Sequence, residues 1–170
     1  MIFVIGTGRS GTSTVSRILH TRCDVCMGRE LPKRRGEPVY EDQAFSTLNH
    51  WLSEGPPHEE AVTQLKALVA TRGEPWGMKC PATADFLPLY NEVCPEARYI
   101  WCARDLVSVR ASLKRVRPEY DATMTTRCTT DRWAAIEAFT QGLPPERLLR
   151  LWFGVPVREE DIYTRLVAWL

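Results

Sequence analysis

Ile2, Phe3, Val4 and Ile5 form an unbroken apolar run, and after a glycine-rich gap Val15, Ile18 and Leu19 recur at helical spacing. The same alternation continues along the chain. Residues 23–27 read as a short strand and residues 28–39 as a loop carrying Lys33, Arg34 and Arg35 beside Pro32 and Pro38. Over residues 42–52 one helical face collects Ala44, Phe45, Leu48, Trp51 and Leu52, and over 58–72 another collects Ala61, Val62, Leu65, Leu68 and Val69. Residues 76–79 follow as a strand, then a helix bearing Phe86, Leu89, Tyr90 and Val93. Residues 99–103 predict the next strand. Asp105 caps a helix whose core stripe is Leu106, Val109, Leu113 and Val116. A helix over 130–141, a strand over 148–153 and a helix over 159–170 complete the pattern. Strands alternating with amphipathic helices predict an α/β fold of three layers, with a central parallel sheet of about five strands and helices on both faces. No repeat or linker divides the chain, so residues 1–170 are read as one domain.

The first gap carries the most chemistry. Residues 6–13 read Gly-Thr-Gly-Arg-Ser-Gly-Thr-Ser, which fits the first six places of the nucleotide phosphate loop Gly-x-x-x-x-Gly-Lys-Ser/Thr. Thr12 stands where the lysine belongs, and the nearest cation is Arg9. A strand, a glycine-rich turn and a helix start direct backbone N–H groups and a positive dipole end at one anion, so the fold is expected to be P-loop-like. Without the lysine that serves the β- and γ-phosphates, the loop argues against ordinary ATP chemistry.

Composition narrows the reading. A chain of 170 residues can bury a sizeable core, and a formal net charge of +1 offers no bulk attraction for nucleic acid or membrane surfaces. With no charged leader followed by an apolar stretch, and no apolar run of spanning length, a cytoplasmic location is expected. The six cysteines are then read as reduced, buried thiols. Cys23 and Cys26 form a C-x-x-C pair, but Cys80, Cys94, Cys102 and Cys128 are scattered singly. His20, His50 and His58 supply no ligand pair, so no metal is expected. Trp51, Trp76, Trp101 and Trp133 fall on core-facing positions, and Lys33, Arg34 and Arg35 read as solvated charges.

In a parallel sheet, ligands bind beyond the carboxyl ends of the strands. The 6–13 loop, Lys79 and Arg104 all occupy such ends. Arg104 can fork onto a phosphate, and Ser112, two helical turns further on, can add a hydroxyl hydrogen bond. Two anion sites imply a ligand with two separated anionic groups.

These segments together resemble the sulfotransferase family that uses 3′-phosphoadenosine 5′-phosphosulfate (PAPS). Arg9-Ser10-Gly11-Thr12-Ser13 is similar to its 5′-phosphosulfate loop, and Ile100 to Asp105 with Ser112 is similar to its 3′-phosphate motif. Tyr40-Glu41-Asp42 and Trp76-Gly77-Met78-Lys79-Cys80-Pro81 match further segments of bacterial and phage-type members, in the same order. The resemblance covers residues 1 to about 117. The histidine base that cytosolic members carry after the strand lysine is absent, because Cys80 and Pro81 follow Lys79.

The resemblance implies transfer of a sulfuryl group from PAPS to a hydroxyl or amine of a small-molecule or carbohydrate acceptor, by in-line displacement and without a metal. Gly8, Arg9, Ser10, Gly11, Thr12 and Ser13 would hold the 5′-phosphosulfate, and Arg104 and Ser112 the 3′-phosphate. Arg9 would stabilise the departing bridging oxygen, and Lys79 would contact the sulfonate. Glu41 is the first choice of base and Asp42 the second, with Asp42 better read as a helix cap. The rival readings are a nucleotide or small-molecule kinase with a variant phosphate loop, and a module that binds a nucleotide without turning it over.

Overall fold

The computed structural model describes residues 1–28, 33–34, 37–38, 40–154 and 157–170. In chain order the elements are β1 (Ile2–Ile5), α1 (Thr12–Arg22), β2 (Cys26–Met27), β3 (Lys33–Arg34), β4 (Glu37–Pro38), α2 (Gln43–Leu52) and α3 (His58–Ala70). There follow β5 (Trp76–Lys79), a 3₁₀ turn over Pro81–Phe86, α4 (Leu87–Val93), β6 (Arg98–Ala103), α5 (Leu106–Val116) and α6 (Ala122–Thr126). A π-helical turn over Arg127–Asp131 leads into α7 (Arg132–Gln141), and a 3₁₀ turn over Pro145–Arg147 leads into β7 (Leu148–Trp152) and α8 (Glu159–Trp169).

The sheet has five strands in the order β2-β5-β1-β6-β7, and every pairing is parallel. β1 lies at its centre and is buried along its whole length, which explains its unbroken apolar sequence: both of its faces are covered. The period of two sorts its side chains. Phe3 and Ile5 join Phe45, Leu65, Trp76, Tyr90, Tyr99 and Trp101 in a core beneath α2, α3, α4 and α7. Ile2 and Val4 join Val15, Ile18, Leu19, Ile100, Ile162 and Leu166 in a second core beneath α1 and α8. The first core is rich in aromatic edge-to-face contacts, with the Phe3 ring 5.6 Å from that of Tyr90 and the Trp101 ring 5.3 Å from that of Trp133. Truncating Phe3 or Trp101 to alanine should cost about 3–5 kcal/mol.

The expected three-layer α/β fold is therefore present, with small differences. The first of the short strands is only Cys26–Met27, because Val25 and the residues before it finish the return from α1. The stretch expected to be loop contains the two-stranded antiparallel ladder of β3 and β4, while Arg35 lies outside the described residues. The segment before α7 contains α6 and the π-helical turn, which the apolar pattern did not signal. Cys80, Cys94 and Cys102 are buried as expected, but Cys26 is exposed and Cys23 and Cys128 are half-buried, since they sit on sheet-edge and cleft positions. In the expected core stripe of α5, Val109 and Leu113 are buried, while Val116 is half-buried, and Leu113 and Val116 also line a cleft.

Because all strands of the sheet are parallel, their carboxyl ends share one edge. The register sets Val4 beside Lys79, Ile5 beside Trp101, and Ala103 beside Trp152. The 6–13 loop, Lys79, Arg104 and Phe153 therefore emerge on the same side of the molecule.

Candidate active site

The loop after β1 is held by its own backbone. Ser10 Oγ donates to the Thr7 carbonyl at 2.7 Å, and Gly11, at φ 95°, turns the chain into α1. Arg9 also takes a left-handed conformation, φ 72°, which costs a non-glycine residue roughly 1–2 kcal/mol. Packing fixes the loop from two sides. A Cβ on Gly6 would stand 2.7 Å from the Cys102 carbonyl of β6, and one on Gly11 would stand 2.7 Å from the Phe153 ring. A Cβ on Gly8 would meet nothing within 4 Å, so this glycine faces open space. The first backbone bond of α1 runs from Val15 N–H to the Gly11 carbonyl, and no side chain caps the helix. Its leading N–H groups have no side-chain acceptor, and Thr12 and Ser13 of its first turn line the cleft.

The second predicted anion site lies against the first. Arg9 Nε donates to Ser112 Oγ at 3.1 Å, and Arg104 Nη1 donates to the Arg9 carbonyl at 3.4 Å. Ser112 is buried on α5, and Asp105 caps that helix by accepting from the Ser108 N–H at 2.7 Å. That bond, ahead of the neighbouring Arg104 charge, holds the Asp105 carboxyl below its ordinary range. Arg104 Nε and Thr7 Oγ1 are buried without a hydrogen-bond partner among the described residues. Orphaned donors beside an uncapped helix start suit a polyanionic ligand such as PAPS.

The opposite wall comes from β5 and the segment before α2. Lys79 Nζ donates to Glu41 Oε1 at 2.7 Å; the lysine side chain is 2% exposed and the glutamate 32%. Tyr40 sits in the left-handed region, φ 55°, and is buried. Asp42 then turns away from the cleft. It accepts from the Ala44 and Phe45 N–H groups at 3.0 and 3.5 Å, and its other oxygen pairs with Arg72 Nη2 at 2.7 Å in a buried contact.

Gly8, Arg9, Thr12, Ser13, Glu41 and Lys79 line one cleft of about 410 Å³. The structure thus brings Gly8, Arg9, Thr12, Ser13, Glu41 and Lys79 to one cleft, whereas Ser10, Gly11, Arg104 and Ser112 do not line it, and the last two are bonded to Arg9. Asp42 stands apart as a structural cap. Sequence reasoning missed Pro81, Leu113, Arg117, Tyr120, Cys128 and Arg132, which complete the cleft wall. Of these, Arg132 is held by a bidentate pair with Asp85, at 3.0 and 2.9 Å. Burial works against its charge, but the Asp85 hydrogen bonds and charge more than offset it. No three His, Cys, Asp or Glu residues gather among the described residues in a way that would hold a metal ion.

Comparison with known proteins places this geometry in a class. The profile of the sulfotransferase family matches residues 2–167, and the chain belongs to that family. Its fold is similar to that of sulfotransferase STF9 from Mycobacterium avium, with 15% identity and a TM-score of 0.58 over 99% of this chain and 62% of that one. It is also similar to the sulfotransferase domain of the curacin biosynthetic pathway, with 16% identity and a TM-score of 0.56 over 99% of this chain and 72% of that one. A gluconokinase from Sinorhizobium meliloti 1021 shares the fold too, at 14% identity and a TM-score of 0.54 over 99% of this chain and 89% of that one. No match is found among curated proteins. The chain spans 62% of the length of the STF9 structure. No helix among the described residues is long and apolar enough to cross a membrane.

Proposed function

We propose that this protein transfers a sulfuryl group from PAPS to a hydroxyl or amine of a small-molecule or carbohydrate acceptor. One observation carries the reading: a phosphate-type loop without its lysine lines one cleft with Glu41 and Lys79, and Ser112 and Arg104 are hydrogen-bonded to Arg9 of that loop. The N–H groups of Ser10 to Ser13, with the Thr12 and Ser13 hydroxyls, bind the 5′ end of the donor. Arg104 and Ser112 take the 3′-phosphate. PAPS supplies a sulfur already joined to a good leaving group. Arg9 stabilises negative charge on the bridging oxygen as the sulfur–oxygen bond breaks. Glu41 accepts the proton of the attacking group, and Lys79 fixes the Oε1 side of that carboxylate so that Oε2 faces the acceptor. Lys79 also offers its charge to the sulfonate. The new bond from the acceptor's oxygen or nitrogen to sulfur replaces the sulfur–oxygen bond to adenosine 3′,5′-bisphosphate (PAP), which departs and balances the step. The domain is taken to act as a single unit in the cytoplasm.

The gluconokinase likeness concerns the fold, and the kinase reading lacks a loop lysine after Gly11. Calorimetric titration with PAP, ADP, ATP and GTP, with and without magnesium, separates the two. PAP should bind tighter than ADP by roughly a factor of ten to a hundred, the worth of a charged hydrogen-bonding partner, and without need of magnesium. Equal affinity for PAP and ADP overturns the sulfotransferase mechanism, and magnesium-dependent preference for ATP establishes the kinase.

A further inference from the structure

The cleft does not end at Glu41. A second cleft of about 390 Å³ opens beyond it, and Glu41, Pro81, Tyr120, Cys128 and Arg132 line both. Its own walls are Ser46 and His50 of α2, with Ser53 just past that helix, on one side and Arg127 of the π-helical turn on the other. Neither wall is used by the donor-binding residues. The volume falls at the small end of ligand pockets, about 300–1,000 Å³, and suits a single ring with its substituents.

Charge accounting narrows the ligand. Glu41 is neutralised by Lys79, and Arg132 by Asp85. Asn49, which also lines the cleft, spends its side chain on Thr83 and Tyr90, at 2.9 and 3.0 Å. Arg127 is exposed and has no carboxylate partner among the described residues, and the His50 ring is likewise unengaged. The uncompensated charge in the chamber is therefore positive. The wall that carries it is anchored: Thr129 Oγ1 donates to the Thr125 carbonyl at 2.7 Å, and Arg110 reaches from α5 to the hydroxyls of Thr129 and Thr130. Phe86, Tyr120 and Met124 add apolar surface for a ring face. π-helical turns commonly occur where a side chain is re-aimed for function, and this one presents Arg127 and Cys128 to the cleft.

The geometry points to an acceptor chamber for a small hydroxylated acid, a compound of one-ring size whose hydroxyl reaches Glu41 and whose carboxylate or phosphate meets Arg127. This rests on the sulfuryl-transfer reading above. The acceptor oxygen forms its bond to sulfur, its proton passes to Glu41, and the products are PAP and the sulfate ester of the acid.

The test titrates the full chain, alone and saturated with PAP, with two matched pairs: 4-hydroxybenzoate against 4-hydroxybenzyl alcohol, and glucuronate against glucose. At least one acid should bind the PAP complex roughly tenfold tighter than its neutral counterpart, the worth of one charge-assisted hydrogen bond. Arg127→Gln should abolish that preference and leave PAP affinity unchanged. Failure of both acids to bind, equal binding within both pairs, or a preference that survives Arg127→Gln overturns the chamber. The donor reading fails separately: if PAP binds no better than ADP while the acid preference persists in the nucleotide-free chain, the chamber stands and sulfuryl transfer does not.

Discussion

Lys79 Nζ lies 2.7 Å from Glu41 Oε1, joining an ammonium buried in the sheet to a carboxylate that still touches solvent. The pair is asymmetric. If the lysine is removed, water can solvate Glu41; if the carboxylate is removed, the lysine charge stays buried without its counter-ion.

That asymmetry separates the two variants. Glu41→Gln should slow sulfuryl transfer roughly a hundredfold or more and lower stability, while PAP affinity holds. Lys79→Met should also slow transfer but cost less stability, because methionine fills the buried site without a charge to desolvate. Turnover and denaturant melts on both variants test this. Normal turnover in Glu41→Gln, with an acceptor in hand, removes Glu41 as the base.

Arg9 and Arg104 should divide by the state they serve. Arg9→Ala is expected to lower kcat far more than it weakens PAP binding, since the work proposed for it is on charge that develops in the transition state. Arg104→Ala should chiefly weaken PAP binding. The Arg9–Ser112 bond adds a complication that can be measured: Ser112→Ala frees Arg9 and removes the proposed 3′-phosphate partner at once. Equal loss of PAP affinity in Arg9→Ala and Arg104→Ala would sink the division.

Asp42 holds more than a helix end. A cap alone is worth about 1 kcal/mol, but Asp42 also pairs with Arg72, and both side chains are buried. Asp42→Ala should therefore cost about 3–5 kcal/mol, the effect of leaving a buried charge unpaired. Asp42→Asn keeps the cap acceptor and isolates the charge. If the Asp42→Asn protein melts with the parent, the Arg72 pair contributes nothing.

The main strands and their parallel arrangement were readable because a central parallel strand is apolar on both faces, and β1 and β6 carry that signature, but the strand order was not. That Arg9, Lys79 and Arg104 fall on one edge of the sheet was readable for a related reason: parallel strands put all their carboxyl ends on one edge. The Lys79–Glu41 pair was not, since it spans 38 residues and depends on a left-handed turn at Tyr40 that no residue type there announces. Arg72 was hidden in the same way from Asp42. Val116 is only half-buried and Leu113, though buried, also lines the cleft, because helical periodicity marks a sheltered face without saying whether protein or a cleft shelters it. The wall formed by Tyr120, Arg127, Cys128 and Arg132 lay in a stretch with a π-helical turn, whose spacing breaks the 3.6-residue pattern.

The cysteines give an independent reading of the cleft. Burial pushes the Cys94 thiol up to about 11 and raises Cys102 further, so neither supplies thiolate near neutral pH. With iodoacetamide and mass mapping near neutral pH, Cys26 should be labelled first and Cys80, Cys94 and Cys102 should resist while the protein is folded. Cys128 lines both clefts and should be labelled slowly, and more slowly still once PAP and an acceptor are bound. Unchanged Cys128 labelling at saturating ligand places the ligand elsewhere.

Gly8 and Gly11 lie in one loop but do different jobs, and alanine tells them apart. Gly11 starts α1 at φ 95°, where an L side chain is strained by roughly 1–2 kcal/mol. Its new methyl would also stand 2.7–2.8 Å from three atoms of the Phe153 ring, including the ring carbon nearest the backbone, so the ring cannot simply swing aside. Overpacking of that kind adds about 1–3 kcal/mol. Gly8 has neither problem, since a methyl there meets no atom within 4 Å and projects into the space that the donor would occupy. Gly11→Ala should therefore lower the melting temperature clearly, and Phe153→Ala should partly rescue it by removing the clash while leaving the backbone strain. Gly8→Ala should melt with the parent yet bind PAP more weakly, because the loop's N–H groups can no longer approach the phosphate as closely. A Gly8→Ala protein with full PAP affinity would move the donor away from this loop, whatever became of its stability.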